Sequence, residues 1–194
     1  MVVIERIGSY PLFHYTLGEI GIKWLTIDEN YLNYLRSFES RIPLSDYGSD
    51  KYKPFFGSLF VTDDVCYVTQ VSHPKKKHYK MHSNMDFDKV YNLDGNLIAV
   101  INYNYMFPIP KYLYQELHYK DLEKYRSFKN MEEKSKYISL LKKELAVIKS
   151  MEVDKKAVRL YKHKYEKPES AIAARCLDFK YMECLALEYI SAIL

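Results

Sequence analysis

The chemistry-bearing residues crowd into VTQVSHPKKKHYKMHS, residues 68–83. Within positions 72–82 stand four lysines (Lys75, Lys76, Lys77, Lys80), three histidines (His73, His78, His82) and no acid. Packed ammonium groups repel one another, and a polyanion relieves that repulsion. Phosphate contacts of this kind dominate nucleic-acid affinity. Tyr67 and Tyr79 lie beside the run and offer faces on which bases can stack. The competing reading is a solvated loop, the usual fate of a charge run. Ser72 and His73 set a hydroxyl beside an imidazole, the groups a nucleophile and its base would need. Neighbours on a strand point to opposite faces, however, so their adjacency does not establish a hydrogen bond. On its own, His73 reads as a surface histidine rather than a general base.

No metal site is expected here. The lysines between His73, His78 and His82 would repel a dication, and no carboxylate cluster accompanies them. Asp63 and Asp64 read as turn formers. The six glycines are scattered singly, so a phosphate-cradling glycine loop is missing and no cofactor is expected.

These groups need a scaffold, and the composition supplies one. Of 194 residues, 48% are hydrophobic and 28% charged, which fits one folded domain with a core of its own. The net charge of +4 says little; its local distribution matters more. The 20 tyrosines suit half-buried sheet faces and wet interfaces. Three cysteines without paired spacing argue against a disulfide framework and point to a reducing cytoplasm. No stretch approaches the roughly 20 apolar residues of a membrane span, and the N-terminus lacks the apolar core of a signal peptide.

Along the chain, IKWLTI (22–27) reads as a strand. Asp28 then caps a helix whose apolar face is Tyr31, Leu32, Leu35 and Phe38. A loop of about a dozen residues follows Pro43, long enough to carry function. FFGSLFV (55–61) and VCYVTQV (65–71) form a hairpin, and FDKVYNL (87–93) and LIAVINYNY (97–105) form another around Asp-Gly. The prolines of MFPIP end that strand, and KYLYQELHY is a further strand. From Asn130 the pattern is helical, with Tyr137, Leu140, Leu141, Leu145 and Ile148 on one side. Two shorter helices follow, capped by Asp154 and Asp178, with Pro168 between them. The fold class is α+β, a curled antiparallel sheet flanked by helices with a helical C-terminal half.

The order of these pieces resembles the ToxN/AbiQ family, the protein toxins of type III toxin–antitoxin systems, including the CptN branch. The resemblance spans about residues 22–190. It rests on NYLNYLRSF in the first helix, KPFFG opening a strand, SHPKKKH after the next strand, LIAVINYNYMFPIP, the lysine-rich helix, and DFKYMECLALEY. Residues 1–21 have no counterpart and read as an N-terminal extension to a single domain over 22–194. The resemblance implies a compact twisted antiparallel sheet similar to that of the Kid/MazF toxins. It also implies a metal-independent endoribonuclease. The RNA's own 2′-hydroxyl attacks the adjacent phosphate, leaving a 2′,3′-cyclic phosphate and a 5′-hydroxyl. The implied partner is an antitoxin RNA made as tandem repeats, which the toxin processes. Each repeat folds as a pseudoknot that occupies the active groove in a closed protein–RNA assembly. Cellular or phage RNA is the substrate, and abortive infection or plasmid maintenance is the setting.

Carried over residue by residue, Ser72 falls on the family's first loop hydroxyl, and Pro74 and Lys75 on its Pro-Lys. His78 falls on a histidine three places later, Lys53 on a lysine entering the KPFFG strand, and Tyr31 on a helix tyrosine facing the groove. His73 stands where a second hydroxyl is usual, so it becomes a candidate for the proton transfer. Lys142 replaces a tyrosine of the long helix. The expected catalytic set is therefore Lys53, Ser72, Lys75, Tyr31 and His73. Lys76, Lys77, His78, Lys80 and Tyr79 are expected to bind RNA. The lysines would neutralise the charge that builds on the non-bridging oxygens. The alternative is a non-catalytic RNA-binding module that uses the basic loop 72–82.

Overall fold

The computed structural model describes residues 2–7, 10–16, 21–48, 50–62 and 65–193. Strands β1 (Val2–Ile7) and β2 (Tyr10–Thr16) pair antiparallel, and Thr16 pairs with Val61. β3 (Lys23–Ile27) follows. Helix α1 (Glu29–Phe38) starts where the Asp28 carboxylate accepts the Tyr31 N–H at 3.0 Å. It buries Tyr31, Leu32 and Leu35, whereas Phe38, read as part of the same face, is exposed at the helix end.

The run read as one strand over 55–61 is two. β4 (Phe55–Gly57) pairs with β3, and β5 (Val61–Thr62) pairs with β6 (Val65–Val68). Gly57 is required by close approach: a Cβ there would lie 2.7 Å from Val68 Cγ1 and 3.2 Å from the Tyr67 carbonyl oxygen. Asp63 and Asp64, the expected turn formers, lie outside the described residues.

The next run also divides. After β6, β7 (Val71–Ser72) leaves for another sheet. The Gln70 amide holds the crossing point by donating to the carbonyls of Leu44 (2.8 Å) and Lys53 (2.9 Å). The basic segment is a short helix, α2 (Lys76–Lys80), rather than a loop. β8 (Phe87–Tyr91) and β9 (Leu97–Asn102) form the expected hairpin, with Gly95 at φ +77° in its turn.

MFPIP does not end the sheet. β10 (Phe107–Pro110) pairs with β6 along its length, from Phe107 opposite Val68 to Pro110 opposite Val65. Its two prolines are tolerated because β10 is an edge strand, where missing N–H groups can face away from the ladder. β11 (Tyr114–Glu116) pairs with β3. The described strands therefore make three antiparallel sheets, ordered β1-β2-β5-β6-β10, β11-β3-β4 and β7-β9-β8.

The remainder is helical. Asn130 caps α3 (Met131–Ser150) by accepting the Glu133 N–H at 2.9 Å. α4 (Val153–Glu166) starts after Glu152, so Asp154 lies in its first turn instead of capping it. An acid there still complements the helix dipole. α5 (Ala171–Arg175) precedes α6 (Phe179–Ile193), where Asp178 accepts the Tyr181 N–H at 3.2 Å as expected. Phe60, Tyr67, Tyr161 and Phe179 form one aromatic core cluster. Tyr67 is fully buried there and donates to Glu183 at 2.8 Å, so it offers no face to a base. None of the helices among the described residues is long and apolar enough to cross a membrane.

Candidate functional site

A cleft of about 320 Å³ opens between the loop 43–54, the end of β7, and α3. Tyr47, Tyr52 and Lys53 come from the loop, Val71 and His73 from the β7 segment, and Arg126 from the turn before α3. Tyr137, Leu140, Leu141 and Glu144 come from α3 itself. Two bonds hold the walls together. The Tyr137 hydroxyl donates to the Tyr52 carbonyl at 2.7 Å, which locks α3 to the loop. The buried Trp24 indole N–H donates to the Leu141 carbonyl at 2.9 Å, which locks α3 to β3.

One ammonium group lines this cleft, and a second, from a separate segment, lies near enough to act on it. Lys53 lines it, held above the Tyr47 ring at 4.6 Å. Its ammonium is lowered from the ordinary lysine range, first by burial and then by the positive charge of Lys75. The two side chains are thus near enough to repel, although 21 positions separate them in sequence. Two neighbouring cations suit a phosphate, and Asp50 shares the cleft with Lys53.

The β7 alternation decides which neighbour enters the cleft. Val71 and His73 line it, and Ser72, one place between them, does not. Of the hydroxyl and the imidazole, the imidazole is the group that shares the cleft with Lys53. Lys76, Lys77, Lys80 and Tyr79 lie on α2, and all four are exposed, Tyr79 by 63%. They form a basic ledge next to Lys75.

His78 is not part of that ledge. Its ring is buried against Phe87, and Nδ1 accepts the Lys75 N–H at 3.0 Å. Burial, then Lys77, Lys75 and Lys89, lower its pKa and keep it neutral. The ring therefore sets the start of α2 and the position of Lys75 instead of meeting RNA. Because the folded pKa is depressed, an unfolded chain binds the proton first. The stability this residue contributes is full above about pH 6.5 and declines as pH falls below it. His78→Phe keeps the ring packing but removes both the acceptor and the titration. Urea unfolding should show it less stable by about 1 kcal/mol near neutral pH. That gap should shrink as the pH is lowered; a gap that grows on acidification contradicts the assignment.

Tyr31 is also placed differently from expectation. Its side chain is 0% exposed, packs against Tyr189, and donates to the Pro108 carbonyl at 2.7 Å. Burial raises the phenol well above its ordinary value. Such a group neither reaches a groove nor gives up a proton. The helix periodicity placed Tyr31 correctly on the buried face, and that face packs into the core. Tyr31→Phe is expected to cost about 1–3 kcal/mol, since it leaves a buried carbonyl unpaired. It should keep RNA cleavage within a few-fold; a loss of two decades would return Tyr31 to the chemistry.

Tyr137, Glu144 and Arg126 line the cleft without having been singled out as site residues. Tyr137 was read as apolar helix face. Glu144 left a detectable signal: a carboxylate seven places after Tyr137, within the stripe that continues to Ile148. Arg126 left none, because its place depends on a non-helical turn. Its guanidinium stacks on Phe128 and Tyr137 at 4.5 Å each and pairs with Glu133 at 3.0 Å. Lys142 lies over Tyr119, at 5.5 Å, and is not part of the cleft lining.

Comparison with known proteins matches this fold and arrangement to one family. The family model of the ToxN toxin of type III toxin–antitoxin systems matches residues 23–186. A type III toxin described as selectively inhibited by a non-coding RNA pseudoknot has a similar structure. Its TM-score is 0.69 at 22% identity, over 87% of this chain and 97% of that one. AbiQ, a lactococcal anti-phage endoribonuclease of a type III system, superposes with a TM-score of 0.68 at 17% identity, over 88% and 98% of the two chains. A third structure, from an antiviral system regulated by a processed non-coding RNA, gives 0.64 at 22% identity, over 83% and 94%. No curated protein matches the sequence. The family model spans β3 to β11, the basic helix and α3, which include the elements that build the cleft, and so the chain belongs to the ToxN family of type III toxin–antitoxin toxins.

Proposed function

We propose that the protein is a metal-independent endoribonuclease whose reaction centre is the cleft between Lys53, Lys75 and His73. The convergence of two ammonium groups from separate segments carries this reading. The scissile phosphate sits between Lys53 and Lys75, with the exposed ledge Lys76, Lys77, Tyr79 and Lys80 holding the flanking strand. The ribose 2′-oxygen attacks the phosphorus and loses its proton as the new P–O2′ bond forms. The P–O5′ bond breaks, and the departing 5′-oxygen takes up a proton. A 2′,3′-cyclic phosphate and a 5′-hydroxyl remain. Charge accumulates on the non-bridging oxygens during attack, and the two ammonium groups stabilise it there more than in the ground state. His73, within the cleft, is the group suited to move the proton. An imidazole ring can accept a proton on one nitrogen and donate one from the other. Ser72 is left to support the phosphate from outside the cleft lining.

The partner in this reading is an RNA antitoxin, processed by the protein and folded as a pseudoknot that fills the cleft. The related toxins described as inhibited or regulated by non-coding RNA support it. Residues 22–194 form the acting domain, in line with the family match over 23–186, and residues 1–21 extend it. A cytoplasmic setting follows from the substrate and the reduced cysteines.

The test is to strip the purified protein of RNA, incubate it with total cellular RNA in EDTA, and map new 5′-hydroxyl ends. Ends formed in EDTA support the reading. Ends formed only with added magnesium ions overturn metal independence, and binding without new ends would leave an RNA-binding module.

A further inference from the structure

Glu144 is 5% exposed, yet it faces the cleft from α3. It stands two helical turns after Tyr137 on the same face, with Leu140 and Leu141 between them. Burial raises its carboxyl to about 8. It is therefore held as the neutral acid at neutral pH. A carboxyl buried in this way lowers stability, which is a cost more often seen where a group meets a ligand. The walls around it describe that ligand. Val71, Leu140 and Leu141 are apolar, and Tyr47, Tyr52 and Tyr137 are aromatic. These walls suit a flat ring with a polar edge, while Lys51, Lys53 and Arg126 in the same lining suit its phosphate.

We propose that the cleft receives one unstacked nucleobase next to the scissile phosphate and that Glu144 reads its hydrogen-bonding edge. The inference rests on RNA being the ligand of this cleft, as in the proposed function. The neutral carboxyl both donates and accepts. It pairs with any edge that sets a donor beside an acceptor, as adenine's amino group and N1 do. The ionised carboxylate only accepts. It then prefers an edge with two adjacent donors, which guanine presents through N1–H and its amino group. The protonation state of one side chain thus sets which base fits.

Other titrating groups face the same cleft: Asp50, Lys51 and Lys53 from the loop, His73 from the β7 segment, Arg126 from its turn, and Tyr137. Their charges alter the affinity for every RNA through its phosphates. A ratio of affinities between two bases cancels that shared effect and isolates Glu144.

The experiment measures binding of uncleavable 2′-O-methyl tetranucleotides, in which each position in turn carries A, C, G or U. Fluorescence anisotropy is read at about pH 6.5 and about pH 8.8, on either side of the carboxyl's titration. For the unmodified protein, the guanine-to-adenine affinity ratio at one position is expected to rise about tenfold between the two pH values, the scale of one bidentate pair. Glu144→Gln keeps the shape, donates and accepts at every pH, and should hold the ratio constant. Glu144→Leu should flatten it. A ratio in the unmodified protein that ignores pH, or the same pH response in Glu144→Gln, overturns the proposal. Binding needs no cleavage, so the two readings fail separately. The expected binding pattern without any cutting refutes the nuclease and keeps the base pocket. Cutting without the pattern refutes the pocket alone, and absence of binding refutes both.

Discussion

Lys53→Met is expected to cut RNA cleavage by about two to three decades while leaving the protein at least as stable as before. The two effects have one cause. The Lys53 ammonium is partly withdrawn from water and repelled by Lys75, so holding its charge costs folding free energy. Methionine keeps the stem's packing beside Tyr47 and removes that cost. It also removes half of the phosphate clamp. Lys75→Ala should lose cleavage to a similar extent and stay folded, since Lys75 is exposed. Single-turnover cleavage and a urea melt check both variants together. Cleavage retained by either one rejects the clamp, and a collapse in stability for Lys53→Met rejects the electrostatic account. The pH dependence carries a sign as well. A lysine with a lowered folded pKa loses its proton earlier as pH rises, so cleavage should fall on the alkaline side sooner than an ordinary lysine would permit. The unfolded chain binds that proton more tightly, so stability should rise over the same window. Lys75→Ala removes one of the two causes and should move the residual activity's alkaline limb to higher pH.

Trp24→Ala should have the largest effect on stability, about 3–5 kcal/mol. The ring is 2% exposed, meets Phe56 edge to face at 6.1 Å, and donates to the Leu141 carbonyl at 2.9 Å. Alanine leaves a cavity between β3 and α3 and removes the indole's hydrogen bond to the Leu141 carbonyl. The damage should reach the site, because Leu141 and Glu144 stand on the same helix face and line the cleft. Trp24→Phe separates the two contributions. It keeps most of the packing and loses the hydrogen bond, so it should cost less, about 1–3 kcal/mol. Urea unfolding measures both. A change under about 1 kcal/mol for the alanine variant would mean that α3 is held by other contacts.

Much of this architecture was legible as pattern. Asp28 and Asp178 cap helices where capping chemistry placed them, and Asn130 caps α3 where the pattern turns helical, because a cap is satisfied within three or four residues of itself. The Asp94-Gly95 turn and its hairpin are local in the same sense. Apart from the cap read at Asp154, the misreadings that follow are cases where a distant partner intervened. MFPIP became a strand because β6 supplies the ladder and an edge position excuses the prolines. The runs 55–61 and 65–71 were each broken because their ends pair in different sheets. The basic stretch became a helix anchored through His78, whose ring is buried against a later strand.

The chain order of residue types specified the charge, the alternation and the caps, all of which are properties of neighbours. Lys53 and Lys75 were both identifiable from sequence as cations near strand ends. Their meeting was not, since it depends on β7 crossing to a separate sheet and on Gln70 joining that crossing to the Lys53 carbonyl. Periodicity put Tyr31 on a buried face, but only packing shows that the face meets Pro108 and Tyr189 rather than a groove. Glu144 is an ordinary helix residue in one dimension. Its altered proton affinity exists only once the loop, the β7 segment and α3 close around it and remove the water. Local geometry is written into short spans of chain; desolvation and the convergence of charges are set by elements far apart in sequence, and those are what make the site.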